Sequence, residues 1–469
     1  MGEPLKKETV ATVQDAPVTH RPFGMRDKIG YLMGDFGNDF FFFLVSSYLM
    51  VFYTDIFHIN AATVGALFMF ARLWDAFADV TWGRFIDVRP ASKHGKFKPW
   101  IFRMSFPLVI TGVLMFVTIP GMSDGFYLAW AFVTYIVWGT LYSTVNIPYG
   151  SMASAITDKP EERTSLSTWR TAGSMLASLI INAGAPLIVM VDNKLDANRM
   201  FMAACIFGVL SICCYMACYK MSTERISAPA QAKDNSNFKA TLKGLMKNKP
   251  LLWLLVSALL LMTNVMFIGA VNIYLFKDYF ESTAALSVYG VVQSVAAFAV
   301  MPLIAPLVKK FGKKEISAFG LALAAIAYYA LFFMKDLSGM TFVAVAAVGL
   351  FGTAFFNTVV WAFVTDVIDY HELLTGLRED GTVYSIYSFS RKVGQAVAGG
   401  IGGAAIAAVG YQAGAAQQAE STLNGIHTLG TLVPAVVYTL ILLVMLFLYP
   451  LNKKRTQEMN AELAARRNK

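Results

Sequence analysis

Apolar runs separated by short polar stretches recur along the whole chain, and twelve of them reach the roughly 20 residues that a helix needs to cross a bilayer. The first six are expected near 29–52, 62–82, 100–119, 126–147, 166–191 and 200–219. Six more are expected near 251–275, 286–308, 316–334, 342–364, 383–409 and 426–449. The longest interior polar stretch separates the two sets. The pattern predicts an all-α integral membrane protein with an N-terminal tail (1–27), a six-helix bundle (28–219), a linker (220–250), a second six-helix bundle (251–451) and a C-terminal tail (452–469).

Composition agrees with that reading. Hydrophobic residues make up 56% of the chain and charged residues 15%, against about 45–50% and about 25% in soluble globular proteins. A single-span anchor carrying a soluble domain is excluded. Phe occurs 36 times and Asp plus Glu only 30, which argues against an acidic, disordered or nucleic-acid-binding chain. The net charge of +9 is a topology signal instead: Lys and Arg gather in both tails and in the loops after spans 2, 4, 6, 8 and 10, whereas the opposite loops hold only Lys194, Arg199, Lys277 and Lys335. Basic loops stay in the cytoplasm, so both termini are expected there. Cys205, Cys213, Cys214 and Cys218 share one apolar segment and read as small hydrophobes. The first 27 residues lack the apolar core of a signal peptide.

Charges inside the spans are the informative exceptions, because each costs about 2.5–3.5 kcal/mol on insertion scales. Span 1 carries Asp35 and Asp39, and span 2 carries Asp75 and Asp79. Each i, i+4 pair lies on one helix face. Two readings stay open: the acids pair with Arg72 and Arg170 to hold helices together, or a cation or proton sits between like charges. Arg170, Arg391 and Lys392, from spans 5 and 11, either form a positive pocket between the bundles or make helix-to-helix ion pairs. The aromatics Trp138, Tyr142, Tyr149, Trp169, Tyr384 and Tyr387 gather near them, as sugar-stacking plates or as packing. Asn146-Ile147-Pro148-Tyr149-Gly150 is expected to end span 4, and Gly394, Gly399, Gly400, Gly402 and Gly403 allow close helix contact in span 11. There is neither an HExxH motif nor a Walker-type loop, so neither enzyme chemistry nor an ATP-driven pump is expected.

The halves echo each other. Gly83-Arg84-Phe85-Ile86-Asp87 after span 2 corresponds to Lys309-Lys310-Phe311-Gly312-Lys313-Lys314 after span 8. Two related bundles with a midplane site between them is the major facilitator arrangement. Segments 71–79 (ARLWDAFAD), 95–100 (GKFKPW), 146–151 (NIPYGS), 366–372 (DVIDYHE) and 384–394 (YSIYSFSRKVG) then make the chain resemble the glycoside-pentoside-hexuronide:cation symporters. Within that family it looks most like the bacterial glucuronide carriers.

For the melibiose carriers of the family, the resemblance implies a cation site at Asp75, Ala78 and Asp79 and a sugar site at Asp39, Asn146, Gly150, Arg170 and Lys392. Here Ala78 stands where the sodium-using pattern has Asn, Asn146 where it has a sugar carboxylate, and Gly150 where it has Trp. Sodium wants several oxygen ligands, whereas two close carboxylates can share a proton without them. The expected protein is therefore a bacterial inner-membrane symporter, with both termini cytoplasmic, that imports a glycoside, in particular a glucuronide or other hexuronide. Asp75 and Asp79, with Ser143 or Thr144 as an added oxygen, form the expected cation site. Asp39, Tyr142, Asn146, Arg170, Arg391 and Lys392 form the expected substrate site. No cofactor is expected beyond the coupling ion, H+ or else Na+; the partners are a small glycoside and lipid, no nucleic acid, and the monomer is the working unit. A neutral glycoside or pentoside symporter and a non-transporting sugar sensor are the alternatives.

Overall fold

The computed structural model describes residues 21–226, 245–376 and 380–467, apart from positions 88, 90, 93, 158, 414 and 416. Most of the expected N-terminal tail and linker, and the side chain of Tyr384, lie outside the described residues. The first half consists of α1 (Met25–Asp55), α2 (Ala61–Asp87), α3 (Lys98–Leu114), α4 (Asp124–Ile156), α5 (Pro160–Leu179) and α6 (Ala197–Met221). α5 continues through a π-turn at Ile180–Gly184 into Ala185–Val189 and a short hairpin, β1 (Met190–Val191) and β2 (Lys194–Leu195). The second half consists of α7 (Lys249–Tyr274, then a π-turn at Leu275–Tyr279), α8 (Thr283–Phe311), α9 (Lys313–Phe333), α10 (Gly339–Thr375), α11 (Asp380–Ala408) and α12 (Glu420–Leu443, then a π-turn at Val444–Leu448). The expected spans fall on these helices, except that the fifth runs on through the π-turn and Ala185–Val189 into β1 and the third runs past Leu114, where α3 ends. Ten are long and apolar enough to cross a membrane; α3 is shorter, at 17 residues, and α11 carries Asp380, Arg391 and Lys392.

Three boundaries differ most from expectation. α4 does not stop at Asn146–Gly150 but runs through Pro148 to Ile156. Pro148 removes one main-chain hydrogen bond, yet Tyr149 holds the helix onto α1: its hydroxyl donates to the Tyr31 carbonyl at 2.6 Å and its ring stacks on Tyr31 at 4.7 Å. α10 extends well past the apolar run, because Asp366 pairs with Lys313 at 2.6 Å and Gly376, at φ 75°, caps the helix by donating to the Glu372 carbonyl. The expected C-terminal tail is a helix, α13 (Lys453–Arg467), which buries Met459 and Leu463 and donates from Arg466 to the Leu373 carbonyl.

The halves repeat one packing scheme. α1 packs on α5 and α6, α3 on α4 and α6, and α2 on α4; α7 packs on α11 and α12, α9 on α10 and α12, and α8 on α10. Between the halves α2 meets α11, α5 meets α8 and α1 meets α7. The face that carries both ends of the described chain is the terminus face, and its opposite is the far face. Toward the far face α2 and α11 touch through glycines. A Cβ on Gly65 would lie 2.9 Å from the Gly403 Cα and 3.0 Å from the Gly400 carbonyl oxygen, closer than side-chain carbons come.

The far face is also bolted by polar groups. Lys277 at the end of α7 lies 2.6 Å from Asp55 at the end of α1 and 2.9 Å from Asp278. Tyr411, after α11, donates to Asp55 at 2.7 Å, and Thr54 bonds Tyr274 at 3.0 Å. The hairpin tip adds Asn193, which accepts from the Thr283 main chain and hydroxyl at 2.8 Å. The π-turn of α5 presents the Ala183 carbonyl to the Ser287 hydroxyl of α8.

Removing one partner of a buried ion pair costs about 3–5 kcal/mol, so Lys277→Met should favour opening at the far face. In a background without the 4 native cysteines, a Ser46→Cys probe on the inner wall should react with an impermeant thiol reagent applied at that face at least about tenfold faster. The exchange Asp55→Lys with Lys277→Asp should restore slow labelling; equal rates in all three proteins would show that the pair does not hold the face shut.

Candidate functional site

Between the halves lies a cavity of about 550 Å³. Phe43, Ser46 and Ser47 of α1 and Thr168, Thr171 and Ser178 of α5 form its first-half wall. Opposite stand Asn272 of α7, Tyr289 and Gln293 of α8, and Thr353, Asn357 and Trp361 of α10. The polar groups on this wall are hydroxyls, amides and an indole; the charges lie outside this lining, in three clusters.

The first cluster belongs to the first half. Arg170 Nε donates to Asp35 at 3.1 Å, and the guanidinium lies 5.3 Å from the Tyr149 ring. Asp39, one turn along α1, accepts from the Ser174 hydroxyl. Tyr142 lies beside this pair but is tied into packing: Asn38 donates to its hydroxyl at 2.7 Å, and Tyr215 donates to Asn38 at 3.0 Å. Asn146 is half-buried on α4.

The second cluster bridges the halves. Arg72 lies 3.6 Å from Asp75, a long contact that engages only Oδ2. Asp75 Oδ1 is buried against Gly139 of α4 and has no hydrogen-bond partner among the described residues. A Cβ on Gly139 would lie 2.3 Å from that oxygen, so the missing side chain there makes room for the carboxylate. Ser143, one turn along α4, donates to the Gly139 carbonyl at 3.3 Å. Asp79 forms an ion pair with Lys392 of α11. Lys392 is thereby placed with the acids of α2 and not opposite Asp39 and Arg170.

Arg391 is the third feature. It lies 5.0 Å over the Trp361 ring and directs Nη2 to the Met262 sulfur at 3.4 Å. Its Nε is buried without a hydrogen-bond partner among the described residues. The Tyr387 ring meets the indole edge-on at 5.3 Å. Arg72, Arg170 and Lys392 each have a carboxylate; among the described residues no carboxylate pairs with Arg391.

The residues that composition did not single out are the neutral ones on the second-half wall. A single Asn or Gln in an apolar run carries no charge signal. The available clue was spacing: Tyr289, Gln293, Ala297 and Met301 recur every four residues, which puts them on one face of α8.

Two six-helix halves related by one packing scheme, closed over a polar cavity, define a membrane transporter of the major facilitator kind. The chain belongs to the MFS/sugar transport protein family, whose model matches residues 30–453. It is 34% identical to the isoprimeverose transporter of Lactiplantibacillus pentosus, over 94% of this chain and 92% of that one. It is 31% identical to the glucuronide carrier protein homolog of Escherichia coli, over 94% and 96%. The crystal structure of a D-xylose-proton symporter shares the fold at a TM-score of 0.62, with 16% identity and coverage of 91% and 97%. These likenesses make the chain a multi-pass sugar transporter of a bacterial family and not an enzyme.

The Arg170–Asp35 contact has a consequence for stability. Arg170→Gln leaves the buried Asp35 carboxylate without its partner, which is destabilising, and should lower the melting temperature in detergent by several degrees. Adding Asp35→Asn should recover most of that loss. A double variant no more stable than the single one would show that the pair does not hold α1 to α5.

Proposed function

We propose that the protein is a proton-coupled symporter for carboxylated glycosides, glucuronides or other hexuronides, which it imports across the bacterial inner membrane with both termini in the cytoplasm. One observation carries the substrate class: Arg391, stacked on a cavity-lining indole, has no carboxylate of its own among the described residues. A guanidinium offers a planar fork matched to a carboxylate, and the indole offers the C–H face of a sugar a plate. At about 4 Å and an effective dielectric of about 20, such a charge pair gains about 4 kcal/mol before desolvation is subtracted. The relative named for glucuronide carriage supports the same class. The neutral cavity wall and the relative named for isoprimeverose favour a second reading, an uncharged glycoside or pentoside.

For coupling, Asp75 supplies the proton acceptor. Among the described residues its Oδ1 has no partner to displace, and Ala78 contributes no oxygen to a sodium shell. A proton on Asp75 removes its repulsion toward Asp79 and leaves Asp79 to Lys392. The state of one carboxylate on α2 is thereby felt at the contact with α11, between the halves. Coupling is the shared preference of proton and sugar for the same loaded state.

Competition between phenyl glucuronide and phenyl glucoside tests the substrate. Wild type should prefer the glucuronide by roughly tenfold or more, and Arg391→Gln should erase most of that preference. Equal uptake of both sugars by wild type favours the neutral reading.

Vesicles under separate gradients test the ion. An imposed pH gradient should drive accumulation, a protonophore should collapse it, and Asp75→Asn should abolish accumulation while sugar exchange continues. Sodium-driven accumulation indifferent to protonophore would overturn the proton assignment.

A further inference from the structure

The cavity has two chemically different poles. α8 and α10 both run from the far face toward the terminus face, and they present Tyr289, Gln293, Ala297 and Met301, and Leu350, Thr353, Asn357 and Trp361, in that order of depth. At about 1.5 Å per residue the stretch from Leu350 to Trp361 spans on the order of 16 Å, longer than one pyranose ring. The pole nearer the terminus face holds Trp361 with Arg391 stacked on it.

The deep pole is neutral and polar. Asn182 of α5 and Asn272 of α7 reach it from the two halves, and the Tyr289 and Tyr328 hydroxyls bond each other there at 3.0 Å. Gln293 and Asn357 continue this pole along the wall toward Trp361, and among the described residues no hydrogen bond engages either amide. Polar side chains on membrane helices are costly unless they face water or a ligand. Each amide carries two donor hydrogens and an acceptor oxygen, a set that matches neighbouring sugar hydroxyls. An aryl aglycone in the same place would leave those groups unpaired, which is penalised.

We infer that the deep pole is a second sugar subsite: Asn272, Gln293 and Asn357 hold an uncharged, hydroxyl-rich second ring of the substrate. The transported glycoside is then at least a disaccharide, with its first ring against Trp361. This rests on the sugar-transport reading of the cavity, and it names the aglycone that the reading leaves open.

Binding to the purified full-length protein in nanodiscs tests it, with glucuronic acid, cellobiouronic acid, glucose and cellobiose as probes. Each disaccharide should bind roughly tenfold or more tightly than its monosaccharide, and cellobiouronic acid should outbind phenyl glucuronide. In Asn272→Leu and in Gln293→Leu the ratio of disaccharide to monosaccharide affinity should fall by roughly tenfold. That ratio is taken within one sample, so the folded fraction does not enter it.

Disaccharides that bind no better than monosaccharides, or a ratio that survives in both variants, would overturn the subsite. The hexuronide reading fails separately. Cellobiose equal to cellobiouronic acid, with the disaccharide preference intact and lost in the variants, removes the uronate and supports the second ring. A uronate preference without a disaccharide preference does the reverse.

Discussion

A charge placed in hydrocarbon must find a partner, and this constraint organises the molecule. Effective penalties of several kcal/mol per buried ion mean that each ionised group on these helices either joins another element or serves a solute. Asp35 joins α1 to α5 through Arg170, Asp79 joins α2 to α11 through Lys392, and Asp55 joins α1 to α7 through Lys277. The first lies within one half and the other two cross between halves. Pairs inside a half hold their helices together while the halves move. Those that cross are broken or remade by the same motion, so their strength enters the energy difference between conformations.

Against that background two departures stand out among the described residues, Asp75 with one oxygen unpaired and Arg391 with no acid. Both sit on the helices that meet between the halves, α2 and α11. Gly139 keeps the space beside Asp75 free, and Tyr387 and Trp361 fix the plane on which Arg391 lies. An incomplete acid and an incomplete base on facing helices match the proposed symport, in which each would be completed by one of the two cargoes.

Much of this was legible in the sequence. Twelve helices followed from apolar run length, and the repeat of loop motifs anticipated the repeated packing scheme. The acids and bases were found because charge in an apolar run is conspicuous. Their pairing was not, since Lys392 meets Asp79 only through the tertiary packing of α11 on α2. Hydropathy also misplaced the end of α10, where Asp366 reads as loop but is neutralised by Lys313 from the preceding helix. Pro148 looked like a stop because the stacking of Tyr149 on Tyr31 is a tertiary event. The amides of the second-half wall were overlooked because their meaning comes from what faces them.

The close glycine contact between α2 and α11 is placed where a fulcrum would be. α2 extends from Ala61 to Asp87, on the order of 40 Å at about 1.5 Å per residue, and Gly65 lies near one end of it. A rotation of about 15°, comparable to that of allosteric subunit motions, would carry the other end through on the order of 10 Å while the glycine surfaces roll with little displacement. With the pivot at one end of the lever, travel is unequal: the terminus face gains a wide mouth for a small angle. The far face must instead open by undoing its ion pairs and hydroxyl bonds. The two doors of the cavity are thus governed by different physics, one by lever length and the other by the strength of a latch.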